Sequence, residues 1–132
     1  MSINAKREIF VHLARIGTAL SSPIRIELLE LLAQMERSVD QLASLTGASV
    51  ANTSQHLQKL RQAGLVASRK EGQYVFYALA GDEVVGLLAG LGRVGETYLA
   101  DVERIVRQYF VQKDDLEPVP AEELLRRARK GL

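Results

Sequence analysis

The sequence predicts a mostly α-helical domain that contains one β-hairpin. Apolar residues recur at helical spacing before residue 62 and again after residue 81, whereas residues 65–79 lose this spacing and suit strands. The 132 residues are 47% hydrophobic and 25% charged, which is an ordinary globular balance. A chain of this length can bury a sufficient core without a disulfide or a structural metal, and it has no cysteine.

The first two helices are predicted from apolar spacing and from one capping sequence. Residues 5–20 carry apolar side chains on one helical face, and Ser21-Ser22-Pro23 follows. Ser22 is the expected N-cap of a second helix that has Pro23 at its first position. Residues 24–32 are so rich in leucine and isoleucine that this second helix is expected to be the central buried one.

Two shorter helices and a tight turn follow. Residues 39–47 predict a short helix that stops at Gly47, and Ser49 is the expected N-cap of a helix that runs to about Gln62, with Gly64 after it. The apolar face of this last helix is predicted to consist of Val50, Leu57 and Leu60, supported by Thr53 and Ala63.

The hairpin is predicted from strand-forming residues on both sides of a glycine. Residues 65–70 and 73–79 suit strands, and Gly72 can adopt the positive φ that a tight turn needs. Three of the chain's seven aromatic residues (Tyr74, Phe76 and Tyr77) lie in the second strand. We expect them to pack on the core; a platform for stacking nucleobases is the alternative.

The C-terminal third predicts one long helix from Asp82 to about Val111. Each of its four glycines costs about 1 kcal/mol in a helix interior, so they either break the helix or allow close approach of a partner helix, which we favour. The glycines are Gly86, Gly90, Gly92 and Gly95. Residues 1–111 are thus predicted to form one domain, and residues 112–132 a linker followed by a short charged helix.

The order of these elements matches the winged helix-turn-helix pattern. In that pattern a short helix and a glycine turn precede a helix with a polar outer face, and a hairpin follows. Residues 49–79 carry four positive side chains and one negative, a net charge of +3, although the whole chain carries only +1. The major groove of B-DNA is about 12 Å wide and admits one helix. The pattern therefore predicts that helix 49–62 and wing 65–79 bind double-stranded DNA. The candidate contacts are Ser49, Ala51, Asn52, Thr53, Ser54, Gln55, His56 and Lys59 on the helix, and Arg69 and Lys70 on the wing.

These residue types suit different parts of DNA. The amides of Asn52 and Gln55 can pair with adenine edges and Ala51 can touch a thymine methyl, whereas the hydroxyls and the cations suit phosphates. His56 is expected to pack against the wing or to contact a phosphate, and Arg61 has a carboxylate on the second helix as an alternative partner. A winged-helix module that binds a protein instead of DNA is the alternative function.

The stretch from Ser49 to Val66 resembles the recognition helix and wing entry of the ArsR family of winged-helix repressors. It shares with them Ser, four residues, Ser, one residue, His-Leu, two residues, Leu-Arg, one residue and Ala-Gly-Leu-Val. Residues 20–29 and 72–79 resemble the second helix and second wing strand of the same family. The resemblance implies a homodimer built on the first and last long helices, an inverted-repeat operator, and repression relieved by an inducer.

The sequence departs from this family in its metal-ligand inventory. Many members sense metals through cysteines near the short helix, where this chain has Ser38 and Asp40, and others use histidines on the last helix, where it has none. Its only histidines are His12 and His56. We therefore predict no metal site and no cofactor. The lack of a cysteine nucleophile, a histidine pair or a phosphate-binding glycine loop also argues against an enzyme.

Two further expectations concern location and the tail. No apolar run of about 18 residues and no signal peptide is present, which predicts a cytoplasmic protein without a membrane span. Residues 115–125 resemble the connector that joins an ArsR-type domain to a rhodanese domain in fusion proteins. That resemblance implies that the chain corresponds to the DNA-binding half of such a fusion; a plain solvated tail is the alternative.

Overall fold

The computed structural model describes residues 1–114 and residue 126, and it divides the chain into two compact units, residues 1–81 and the residues from Asp82 onwards. The first unit holds four helices and three strands in the described part. The elements are α1 (Ile3–Ala19), α2 (Pro23–Gln34), β1 (Arg37–Ser38), α3 (Val39–Thr46), α4 (Val50–Gln62), β2 (Val66–Glu71), β3 (Tyr74–Leu79), α5 (Asp82–Tyr98) and α6 (Ala100–Asp114).

Serine side chains begin four of these helices. The predicted N-caps are confirmed, because Ser22 Oγ accepts from the Arg25 backbone N–H at 3.4 Å and Ser49 Oγ accepts from that of Asn52 at 3.0 Å. Ser2 caps α1, and Ser38 forms a reciprocal capping box with Gln41 at the start of α3. Each cap satisfies a backbone donor that the helix itself leaves unpaired.

The core of the first unit is made of leucines from three consecutive helices. Leu28 and Leu29 of α2, Leu42 of α3, and Leu57 and Leu60 of α4 are all fully buried. Each contributes about 1.5–3 kcal/mol by leaving water. The prediction that α2 is the buried central helix is confirmed, and its neighbours α3 and α4 are positioned by packing on it.

The sheet has three antiparallel strands in the order β1-β3-β2. The hairpin pairs Val66 with Leu79 and Glu71 with Tyr74, and Gly72 in its turn has φ +60° as predicted. β1, which pairs Arg37 with Tyr77, was missed because two residues are too few to show a strand pattern. Tyr77 is buried as expected, but Tyr74 is 46% exposed, so core packing does not hold for all three hairpin aromatics.

In the second unit, residues 82–114 contain two helices, so the prediction of one continuous helix from Asp82 to about Val111 is wrong. Helix α5 ends at Tyr98 and α6 begins at Ala100, with Leu99 between them. The Leu99 carbonyl accepts from the backbone N–H groups of Val102 and Glu103, as the residue before a new helix does. The break therefore comes after the glycines, whose spacing had been taken to mark either a break or a contact.

Gly95 has its close neighbour inside the same chain. A Cβ on Gly95 would lie 3.9 Å from both methyl groups of Val102 in α6, whereas a Cβ on Gly86 would have nothing within 4 Å in this chain. Val102 packs beside the buried pair Val106 and Phe110. A Cβ at position 95 would therefore make an ordinary van der Waals contact with Val102, so the packing of α6 against α5 does not itself require glycine there. Approach of a partner helix at the glycines stays a prediction.

Helix α6 continues to Asp114, three residues into the stretch predicted to be a linker. The rest of the predicted linker and charged helix, and the tail that resembles the rhodanese connector, lie outside the described residues. Within the described part of the chain, no helix is long and apolar enough to cross a bilayer.

Candidate nucleic-acid interface

A left-handed glycine sets the angle between α3 and α4. Gly47 has φ +75° and ψ 10°, and its backbone N–H donates to the Ala43 carbonyl at 2.9 Å, which closes α3. A side chain at this backbone conformation would be strained, whereas glycine adopts it without cost. The chain then reaches Ser49 within two residues and starts α4. This is the helix-turn-helix geometry that the sequence predicted.

Burial divides α4 into an inner stripe and an outer face. Thr53, Leu57 and Leu60 are fully buried, at the four- and three-residue spacing of one helical face. The opposite face is exposed. It carries Gln58, which was not predicted as a contact, and most of the predicted DNA contacts. Of that predicted set, Ser49, Ala51, Asn52, Gln55 and Lys59 are exposed, Ser54 and His56 are half-buried, and Thr53 is buried.

Thr53 does not belong to the exposed face on which it was predicted. It is 0% exposed, and its Oγ1 has no hydrogen-bond partner among the residues that the structure describes. The sequence predicts Thr53 both on the apolar face and among the DNA contacts, and its burial decides for the former.

Val50 was assigned to the buried face and is instead 50% exposed. It is the first residue of α4, whose buried residues begin at Thr53. The prediction was wrong because apolar spacing reports a helical face without showing where the packing partner ends. Val50 is thus an exposed apolar side chain beside Ala51, and sequence reasoning missed it as a candidate contact.

His56 is held by a buried arginine of α2. Its Nδ1 lies 3.2 Å from Arg25 Nη1, and Arg25 is only 7% exposed. A guanidinium can only donate, so Nδ1 is the acceptor and the ring proton of the neutral imidazole is on Nε2. Burial, and then the charges of Arg25 and Lys59, lower the pKa of His56 below its usual value. The structure thus gives His56 a contact with α2 that the sequence did not predict, and the expected packing against the wing or contact with a phosphate stays a prediction.

On the wing, Arg69 is occupied by two carboxylates. Its Nη2 and Nε donate to Glu36 at 2.6 and 3.0 Å, and its Nη1 donates to Glu71 at 2.6 Å. Its guanidinium also lies 4.6 Å from the ring centre of Phe76. These bonds raise the pKa of Arg69 and lower that of Glu36. Lys70, one residue further along β2, is exposed.

Arg61 was expected to bind either DNA or a carboxylate of the second helix. Its Nη1 donates to the hydroxyl of Ser68 on β2 at 3.1 Å, so it joins the end of α4 to the wing. Within the described residues, no group of three or more histidines and carboxylates lies close enough to hold a metal ion.

Comparison with known proteins agrees with this geometry. The model of the family described as "Bacterial regulatory protein, arsR family" matches residues 22–68, from α2 into β2. The HTH-type transcriptional regulator Rv0081 of Mycobacterium tuberculosis is 41% identical over 89 residues, which make up 67% of this chain and 78% of that protein. The chain belongs to the arsR family. Its crystallised relative Rv0081 superposes with a TM-score of 0.65 at 37% identity, over 74% of this chain and 96% of that one.

Two further arsR-family comparisons extend the match. The HTH-type transcriptional regulator Rv0324 of Mycobacterium tuberculosis is 36% identical over 126 residues, or 96% of this chain, and the chain spans 55% of that relative's length. The solution structure of the homodimeric winged helix-turn-helix DNA-binding domain of Mb0332 from Mycobacterium bovis has a TM-score of 0.70 at 36% identity, and the match covers 76% of this chain and 94% of that one. The predicted winged helix-turn-helix fold is confirmed. These relatives carry the names of transcriptional regulators.

Proposed function

We propose that this chain is a homodimeric transcriptional repressor that reads an inverted-repeat operator with α4 and the wing, and that it needs no metal site of its own. The observation that carries the proposal is the exposed polar face of α4, which lies opposite a fully buried stripe on a helix oriented by Gly47. A helix anchored in this way presents one face to a groove without losing its core contacts.

Base recognition is assigned to the N-terminal half of α4. Asn52 and Gln55 are exposed and three residues apart, so both amides lie on one face and can each form two hydrogen bonds to an adenine. Val50 and Ala51 add apolar atoms at the start of the same helix, where they suit thymine methyl groups.

Phosphate contacts are assigned to the flanks of this face. Ser49 Oγ accepts from the Asn52 backbone, which leaves its own hydroxyl proton to donate to a phosphate. Lys59 on α4 and Lys70 on the wing are exposed cations of the type that sets affinity and register. Ser54 and His56 are half-buried, so only their outer atoms are proposed to reach DNA. Arg69 would first have to leave Glu36 or Glu71.

Dimerisation is assigned to apolar side chains that each unit exposes. Ile9, Phe10 and Leu13 of α1 are 42%, 61% and 55% exposed. Leu87, Leu91 and Val94 of α5 are also exposed. Such stripes usually mark an interface, and the structurally similar Mb0332 domain is described as a homodimer. A two-fold dimer places two α4 helices on two half-sites, so an inverted repeat follows from the symmetry.

Repression is proposed because it requires only that the dimer occupy its operator. An inducer would act by binding better to the conformation that does not bind DNA. A protein-binding winged helix remains the alternative, and the exposed amides and lysines of α4 and the wing argue against it.

The test is DNA binding by the purified full chain, by selection from random sites and on the DNA upstream of its own gene. We expect sequence-specific binding that weakens steeply with salt, and repression of a reporter placed behind the selected site. The double variant Asn52→Ala/Gln55→Ala should retain salt-dependent binding and lose sequence preference. Gln108→Ala, which truncates an exposed amide on α6, is the matched control. Absence of any selected site would favour the protein-binding alternative, and activation of the reporter would reject the repressor role.

A further inference from the structure

A cleft of about 290 Å³ opens between α1, α2 and α4 in the first unit. Among the described residues that line it are three cations and no acidic side chain. The lining residues are Arg15, Thr18, Ala19, Arg25, Lys59, Gln62 and Ala63. A concave site of this size with three positive charges in its walls attracts an anion.

Arg25 is the most deeply placed of the three cations. It is 7% exposed, its Nε donates to the Ala19 carbonyl at 2.7 Å, and its Nη2 donates to that of Thr18 at 3.1 Å. Its third acceptor is His56 Nδ1. None of these acceptors carries a formal charge, although a buried charge is costly unless it is compensated. A guanidinium has five N–H donors, so Arg25 retains capacity for a further acceptor.

The other two cations stand at the exposed part of the cleft. Arg15 makes only long contacts, at 3.3 Å to the Gln62 carbonyl and 3.5 Å to His12 Nδ1. Lys59 is exposed on α4. The side chains of Arg15 and Lys59 can therefore turn toward a ligand without breaking short hydrogen bonds.

The helix ends that meet here do not cancel this charge. α1 ends at Ala19 and α4 ends at Gln62, so their last carbonyls bring partial negative charge to the cleft. Each helix end is equivalent to about half an elementary charge. Two such ends leave the cleft with about two uncompensated positive charges. Burial lowers the pKa of His56 beside the cleft, and the positive charges of Arg25 and Lys59 lower it further.

We infer that this cleft is an oxyanion site, in which Arg15, Arg25 and Lys59 hold a phosphate, sulfate or carboxylate group. The group comes either from the DNA backbone or from a free small anion. Ala19 and Ala63 also line the cleft, and their short side chains leave space for this group. Because Lys59 also belongs to the proposed DNA surface, a free anion that engages it would weaken DNA binding.

The first arm of the test does not depend on the proposed function. The full chain is titrated with inorganic phosphate at constant ionic strength, and the Nε–H signals of its arginines are followed by NMR. We expect saturable shifts at Arg15 and Arg25 that Arg15→Gln abolishes. Arg7→Gln, which removes an exposed cation from the same helix outside the cleft, should leave the shifts at Arg25 unchanged.

The second arm addresses a phosphate of the DNA backbone. If the operator supplies the anion, Arg15→Gln lowers the slope of log affinity against log salt by about one and Arg7→Gln does not. Saturable phosphate binding without a slope change assigns the site to a free anion. The inference is overturned if Arg15→Gln behaves as Arg7→Gln does in both arms. If no operator exists, the first arm alone decides, so failure of the repressor proposal is distinguishable from failure of the site.

Discussion

Arg69 of the wing donates two hydrogen bonds to the carboxylate of Glu36, at 2.6 and 3.0 Å, although the residues are 33 positions apart. Glu36 lies just before β1, which pairs with β3, so the small sheet brings it beside the hairpin. The pair cancels a positive charge at the place where a wing would meet phosphates.

This pair predicts that Glu36→Gln strengthens DNA binding. The substitution removes a negative charge beside the wing and releases one anchor of Arg69. Because exposed ion pairs contribute little and are screened by salt, the expected gain in affinity is modest, up to about fivefold at low salt. Titration of operator DNA measures it. Glu27→Gln, an exposed carboxylate on α2, is the control and should show no comparable gain. Unchanged or weaker binding by Glu36→Gln would mean that Arg69 does not reach DNA.

Val50 is predicted to read a thymine methyl group. We expect replacement of one thymine per half-site by deoxyuridine to weaken binding of the wild-type chain, since the substitution removes only that methyl. Val50→Ser should bind both DNAs with equal affinity. Its free energy of unfolding should change by no more than about 0.5 kcal/mol, because the side chain is half exposed. If deoxyuridine at the same position still weakens binding by Val50→Ser, another residue contacts that methyl group.

Thr53 is predicted to act in the core and not on DNA. Thr53→Val keeps the shape and removes a buried hydroxyl without a partner in the described structure, so the free energy of unfolding should rise by about 1 kcal/mol. Thr53→Ser should lower it by a similar amount, about 1 kcal/mol, through the lost methyl group. Urea denaturation measures both. A large loss of operator affinity in Thr53→Val, without loss of stability, would return Thr53 to the DNA surface.

The lowered pKa of His56 predicts that the free energy of unfolding depends on pH. Its pKa in the folded chain lies below the ordinary value of 6.5, so between the two values the unfolded chain binds more protons. Its contribution therefore favours the folded state above pH 6.5 and is lost as the pH falls through the lowered pKa. Free energies of unfolding measured from pH 7.5 to 5 should decline less in His56→Gln than in the wild type. His12→Gln, at an exposed position of α1, should leave the decline unchanged. An identical decline in all three chains would refute the assignment.

The ends of most elements were predictable because they depend on contacts within about four residues. Ser22 and Ser49 cap helices through hydroxyl groups that reach the backbone three residues ahead. Gly47 and Gly72 adopt positive φ where the turns need it. These interactions are local, so the sequence alone determined the succession of helices, the tight turn and the hairpin, and with them the winged helix-turn-helix fold.

The chemistry of the surface was decided by packing between distant segments. Arg25 meets His56 across 31 residues and Arg69 meets Glu36 across 33, and no local pattern encodes either distance. Val50, expected on the buried face, is exposed, and Thr53, expected on both faces, is buried, because burial depends on where the neighbouring helices lie and not on polarity alone. The sequence determined that α4 has one polar face, whereas only the tertiary structure decided which of its side chains are buried, paired or exposed, because those states depend on contacts between residues far apart in the chain.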